Sequence, residues 1–229
     1  MSELWVCHLG QVEYGEGVAL QERVRDRVQA GALPGVLLLL EHPPVYTRGR
    51  RSDAGELPMG EAWYRSQGID VVHTDRGGKL TYHGPGQLVG YPIMRIDDVV
   101  AYLRTMEDAI VAALSEEGIR AGPREGLTGV WVEDRKIGSI GVHVSRGVTT
   151  HGFAINVDND LQPFEWVVPC GLEGVRMTSV TKETGHGEHL PCFRRRMAHA
   201  FCEAFGRRQR LVTPERLQDG RVGPVLSRA

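Results

Sequence analysis

The sequence predicts a single α+β domain, and three observations carry that expectation. Helical and strand-like segments interleave without the regular βαβα rhythm of a doubly wound parallel sheet. Between residues 129 and 157 the pattern turns to strand alternation broken by turn residues, which is the mark of antiparallel hairpins. With 229 residues the chain is large for one domain and short for two, and no repeat, low-complexity stretch or linker divides it. The domain is expected to occupy 1–229, with its core at about 3–206 and a Pro/Gly-containing tail over 207–229.

Each element has its own signal. Residues 4–9 read as a short strand, and Leu20, Val24 and Val28 recur at helical spacing within a helix over about 17–30. The aliphatic run 36–41, bounded by Pro34-Gly35 and Pro43-Pro44, reads as a buried strand. A loop rich in Gly, Arg and Ser follows to about residue 53, then a short helix over 60–67 and a strand over 69–73. Five Gly and Pro residues in the twelve of RGGKLTYHGPGQ (76–87) argue against regular structure through most of that segment. A strand over 88–95 leads to Asp97-Asp98, which start the longest helix; Val99, Leu103, Met106, Ile110 and Leu114 share its apolar face and Gly118 stops it. The 129–157 stretch holds three short strands with turns near Glu133-Asp134 and Ser145-Gly147, and a last helix covers about 192–205.

Composition excludes several function classes. A hydrophobic share of 41% with 24% charged residues is that of a globular chain, not a disordered one. A formal net charge of −2 argues against nucleic-acid binding through a globally basic surface. The longest aliphatic run, 36–40, is far below the roughly 20 residues of a membrane-spanning helix. The first residues lack the basic-then-apolar order of a secretory signal. Four scattered cysteines (Cys7, Cys170, Cys192, Cys202) suggest neither a disulfide framework nor a zinc site. The expectation is a cytoplasmic enzyme in a reducing compartment, with no metal and no membrane or nucleic-acid partner.

Three places can carry chemistry. Of the 27 basic residues only Lys79, Lys136 and Lys182 are lysines. Arg replaces Lys wherever a surface charge suffices but not where an amine must give up a proton, so these three stand out. Lys136 lies in RKIGSIG, where the small residues Gly138, Ser139 and Gly141 clear one face of a strand; a hairpin surface charge is the plain alternative. In the 76–87 segment, paired glycines followed by Thr81, Tyr82 and His83 let backbone amides and polar side chains approach a ligand, or else form an ordinary glycine turn with a structural histidine. Cys170, between Pro169 and Gly171, is either a nucleophile or one more inert thiol. HGEH at 186–189 lacks recognisable metal-ligand spacing, and the Arg194–Arg196 and 207–210 basic runs read first as solvated faces, with docking of an acidic protein as the alternative.

At these residues a resemblance emerges. RGGKLTYHGPGQLVGYP resembles the signature segment of the lipoyl(octanoyl) transferases. EHPPVYTRGR resembles that family's upstream loop, RKIGSIGVHVSRGVTTHGFAINV its lysine-bearing hairpin, and PCGLEGVRMTSV its cysteine segment, all in the same order over 41–180. The hairpin departs from the pattern at 142–145, where members vary. The resemblance implies the α+β fold of the catalytic domains of biotin and lipoate protein ligases. It implies octanoyl-acyl carrier protein as donor, and as acceptors the apo lipoyl domains of 2-oxoacid dehydrogenase complexes and the glycine cleavage H protein, with no cofactor. Residue by residue it places the acyl-thioester cysteine on Cys170 and its partner lysine on Lys136. The substrate pocket falls on Arg76, Gly77, Gly78, Lys79, Leu80, Thr81, Tyr82 and His83, on Ser139, Ile140 and Gly141, and on Gly152, Phe153 and Ala154. The nearest rival is an ATP-dependent ligase of the same fold, which needs no nucleophilic cysteine; a non-catalytic binder of acyl carriers is the other.

Overall fold

The aliphatic run becomes strand β2 (Gly35–Glu41), buried on both faces, in a computed structural model that describes residues 2–168 and 175–219. Val36, Leu38 and Leu40 join the core beneath helix α1 (Tyr14–Gln29), while Leu37 and Leu39 join the core shared with helices α3 (Val99–Ser115) and α6 (Leu190–Ala204). A strand covered on both sides can be continuously apolar, which is why no alternation shows in the sequence. Around it a large sheet runs in the order β12-β1-β2-β6-β10-β9-β8-β7. β1 (Glu3–Gln11) pairs parallel with β2, and β6 (Gln87–Ile93) antiparallel. From β6 onward the strands are antiparallel: β10 (Val148–Asn156), β9 (Arg135–Ser145), β8 (Leu127–Val132) and β7 (Gly122–Arg124). The two-residue β11 (Arg176–Met177) lies parallel to the start of β9. Part of the expected tail belongs to this sheet, since β12 (Arg208–Leu211) pairs with β1 and the following helix α7 (Pro214–Asp219) buries Leu217 in the core beneath α1.

A second sheet, β4-β3-β5, stands apart from the first. β3 (Val45–Arg48) falls within the stretch read as loop, and β5 (Leu80–His83) within the segment expected to be irregular. Both form because they pair with each other: Thr47 with Thr81 and Tyr46 with Tyr82. The four residues of β5 contain no Gly or Pro, so the breakers on either side bound a strand instead of abolishing it. β4 (Asp70–His73) completes the sheet, whose core of Tyr46, Tyr64, Tyr82, Leu80 and Phe164 is closed by helices α2 (Glu61–Ser66) and α4 (Gln162–Glu165). Two hydroxyls of that core reach out of it. Tyr46 donates to the Pro163 carbonyl at 2.6 Å and Tyr64 to the Trp166 carbonyl at 2.7 Å.

Helix α3 starts where the sequence places it, with the Asp98 carboxylate accepting from the Val100 and Ala101 amides at 2.7 and 3.1 Å. Helix α1 begins at Tyr14, three residues before the expected Gly17. Among the described residues no helix is long and apolar enough to cross a membrane, and no three His, Cys, Asp or Glu side chains are placed to hold a metal ion.

Candidate active site

A cavity of about 360 Å³ opens between the two sheets. Its floor is cut into the large sheet by small residues facing each other across β9 and β10, where Gly141 pairs with Gly152 and Ser139 with Ala154. Larger side chains at 139, 141 and 154 would crowd the groove, and a Cβ on Gly152 would lie 2.2 Å from the Gly90 carbonyl oxygen on β6. The opposite wall is β5 and the 76–79 loop. That loop is pressed against the large sheet: the Gly77 amide donates to the Val142 carbonyl at 2.9 Å, and a Cβ on Gly141 would lie 2.9 Å from the Gly77 carbonyl oxygen. On its other side a Cβ on Gly49 would come within 2.5 Å of the Gly78 oxygen, a contact no side chain tolerates. Arg76 pins the loop to β3, donating to the Thr47 carbonyl at 2.6 Å and the Thr47 hydroxyl at 2.8 Å. Lys79, at the cavity edge, pairs with Asp53 and Glu56 at 3.4 and 3.7 Å.

Lys136 stands at one end, with 3% of its surface exposed. Its Nζ lies 5.4 Å from the centre of the Trp131 ring, a distance at which the indole face attracts an ammonium. Its carbonyl accepts from the Thr178 amide at 2.9 Å, and β11 pairs Met177 with it. Cys170 lies outside the described residues, as do Pro169 and Gly171. The chain leading to it is held at Val168, whose amide donates to the Glu56 carbonyl at 3.1 Å; the chain after it is held by β11 beside Lys136. Burial pushes the thiols of Cys7 and Cys202 up to about 11, which keeps both protonated and unreactive.

The far end is polar. Val142, opposite His151, is six residues from Lys136 along β9, about 20 Å at 3.3 Å per residue. There His42, His83, His151, Tyr14 and Tyr91 form a chain of ring contacts with centroids 5.2 to 6.2 Å apart. His42 donates from Nδ1 to the Val12 carbonyl at 2.6 Å, so its Nε2 accepts from the Tyr91 hydroxyl at 2.6 Å. Burial drives His42 down to about 4, and it drives His83 well below the imidazole range, so both rings are neutral near pH 7. Gln87 donates to the Tyr82 carbonyl and the Asn156 side chain, which turns its own oxygen toward His83 Nδ1 at 2.7 Å; His83 Nδ1 therefore donates and Nε2 keeps its lone pair. His151 bonds Asp75 at 2.7 Å and holds that carboxyl down at about 2. Its backbone adopts φ +56° inside a strand, a strained state in which its amide leaves the ladder for the Gln21 side chain at 2.6 Å.

Of the residues expected to line a pocket, Arg76, Gly78, Lys79, Leu80, Thr81, His83, Ser139, Ile140, Gly141, Gly152, Phe153 and Ala154 surround this cavity together with Lys136. Gly77 meets the large sheet through its backbone, and the Tyr82 side chain turns into the small-sheet core. The sequence reading missed Tyr14, Arg51, Tyr91, residues 126–128 and His151. His151 adjoins the Gly152 already singled out, and Tyr91 lies inside the quoted signature segment; the others carry no local signal.

The site is a groove with a buried lysine at one end, set between two mixed sheets. The lipoyl protein ligase A/B catalytic domain family matches residues 13–202. An octanoyltransferase of Mycolicibacterium smegmatis is 44% identical over 208 residues, covering 87% of this chain and 88% of the relative. One from Myxococcus xanthus is 41% identical over 90% of this chain, which spans 60% of that longer relative. In fold the chain is similar to a putative lipoate protein ligase from T. acidophilum, with TM-score 0.73, 19% identity and coverage of 96% and 92%. It is also similar to the biotin protein ligase of Aquifex aeolicus, with TM-score 0.51, 14% identity and coverage of 90% and 70%. The chain belongs to the lipoyl protein ligase A/B catalytic domain family, among its octanoyltransferases.

Proposed function

We propose that this protein takes an octanoyl group from the thioester of acyl carrier protein onto Cys170 and passes it to one lysine of an apo lipoyl domain, in the cytoplasm. The observation that carries the reading is the small-residue groove ending at buried Lys136, beside the strand that follows the Cys170 segment. The Cys170 thiolate attacks the donor carbonyl, and the carrier thiolate leaves with a proton from the Lys136 ammonium. The acceptor amine then attacks the Cys170 thioester; the thiolate leaves again and the amine's surplus proton returns to Lys136. Thioester exchange is close to isoenergetic and amide formation is downhill, so no nucleotide is required. Burying the acyl methylenes supplies about 0.8 kcal/mol each, several kcal/mol over the chain.

The test mixes purified protein and an apo lipoyl domain either with octanoyl-acyl carrier protein and no ATP, or with free octanoate, ATP and magnesium. Mass addition to the domain is expected only in the first. Octanoyl-acyl carrier protein alone should add one hydroxylamine-labile octanoyl mass, mapping to Cys170 and disappearing in Cys170→Ala. Product only in the ATP reaction, or an adduct on Cys192, would overturn the reading.

A further inference from the structure

Helix α3 presents Tyr102, Met106, Ala109, Ile110, Ala113 and Leu114 to the core, and among them one carboxylate, Glu107, only 1% exposed. An apolar side chain of that volume would fit such a layer at less cost, because a buried anion loses its hydration. One oxygen of Glu107 accepts from the partly exposed Arg104 at 2.5 Å, and the other from the backbone amide of Gly129 on β8 at 2.9 Å. Gly129 has φ +124°, a conformation that L side chains rarely adopt. A Cβ there would lie 2.5 Å from the Gly138 carbonyl oxygen, 2.8 Å from Lys136 Cε and 3.3 Å from Lys136 Nζ. The tip of Lys136 thus passes along the space that the missing side chain leaves free. Immediately after Gly129 the β8–β9 register shifts, between Val130 and Trp131, and the shift sets Trp131 opposite Lys136.

We propose that Glu107 is a positioning residue for Lys136, acting through the Gly129 amide. It anchors from the helical layer the stretch of β8 at Gly129, whose empty side forms the slot for the lysine's Cε and Nζ. With the acceptor removed, the Gly129 amide is a buried orphan donor, the strand backbone there relaxes toward commoner dihedrals, and the slot shifts. The inference rests on the reading in which Lys136 moves protons during transfer.

The test uses the full chain, octanoyl-acyl carrier protein and an apo lipoyl domain, with kcat, KM and thermal melting measured for each variant. Glu107→Met, which keeps volume and removes the acceptor, should lower kcat about 10²-fold, the scale of an ångström-sized misplacement. Both KM values should change little, and Glu107→Gln, which keeps an acceptor oxygen, should recover most of the rate. In a Lys136→Met background Glu107→Met should cause no further loss of the residual rate. Should Glu107→Met fail to fold, Glu107→Asp keeps the charge but withdraws the acceptor by one methylene, and should be slower than Glu107→Gln. A folded Glu107→Met at near wild-type kcat, an equal loss in the Lys136→Met background, or Glu107→Asp faster than Glu107→Gln would each overturn the inference. Full activity in Lys136→Met alone would instead remove the parent reading, and the inference with it.

Discussion

Lowering the pH from 7 to 5 should destabilise the protein through His42. Its side chain is fully buried, its Nδ1 proton is committed to the Val12 carbonyl, and its Nε2 is committed as acceptor to Tyr91. A second ring proton would leave the Tyr91 hydroxyl without its acceptor and put an uncompensated charge in the core, so burial holds the group at about 4. The unfolded chain takes up that proton below about 6.5 while the folded protein excludes it until about 4. Stability from this group is complete above 6.5 and is lost as pH falls through that window. At about 1.4 kcal/mol per pH unit, about 2 kcal/mol is gone by pH 5. His83, depressed for the same reason, adds a loss of the same sign. Asp75, held at about 2 against an ordinary 3.8, gives up its stabilisation only below that range. Urea denaturation at pH 7, 6 and 5 measures the slope in wild type and in His42→Gln, whose amide still donates to Val12 but does not titrate. The variant should start less stable at pH 7 and lose about 2 kcal/mol less than wild type on the way to pH 5. Parallel slopes in the two proteins would refute the argument.

Two further outcomes follow from the site and its floor. Lys136→Arg should cost nearly as much kcat as Lys136→Ala, because guanidinium neither releases a proton nor fits the slot beside Gly129; steady-state transfer assays check it, and an Arg variant near wild-type rate would reduce Lys136 to a fixed charge. Gly90→Ala should lower stability by about 1–3 kcal/mol, since its Cβ would sit 2.1 Å from Phe153 Cζ within the core; thermal melting reads the loss, and an unchanged melting temperature would mean that the ring swings aside freely.

What was legible in the sequence was what local pattern decides. β2, α3 and the β9–β10 hairpin each carry their own periodicity or aliphatic run, so one pass along the chain finds them. β3, β5 and β12 are four residues long and exist because a partner strand is alongside, which no window on their own residues reveals. The site divides the same way. Lys136 and its small neighbours stand out by rarity and by size within one segment. Tyr14, His42, Tyr91 and His151 come from four separate stretches and meet only in the folded chain. Glu107 was invisible for a different reason: a glutamate on an amphipathic helix reads as solvated, and only the fold turns it inward.

The tethers on either side of the Cys170 segment converge on one hydrophobic cluster. Before it, the Tyr46 and Tyr64 hydroxyls hang the chain from the small sheet; after it, β11 stitches the chain to the large one at Lys136. Met177, which pairs with Lys136, buries its side chain among the same tyrosines that hold the chain up to residue 168, so that cluster sets the placement of the lysine's strand as well. For anyone redesigning this scaffold, a cavity-remote edit in the tyrosine cluster carries an alignment tolerance as well as a folding cost. A library screened for melting temperature alone would pass variants that fold soundly with β11 displaced from Lys136.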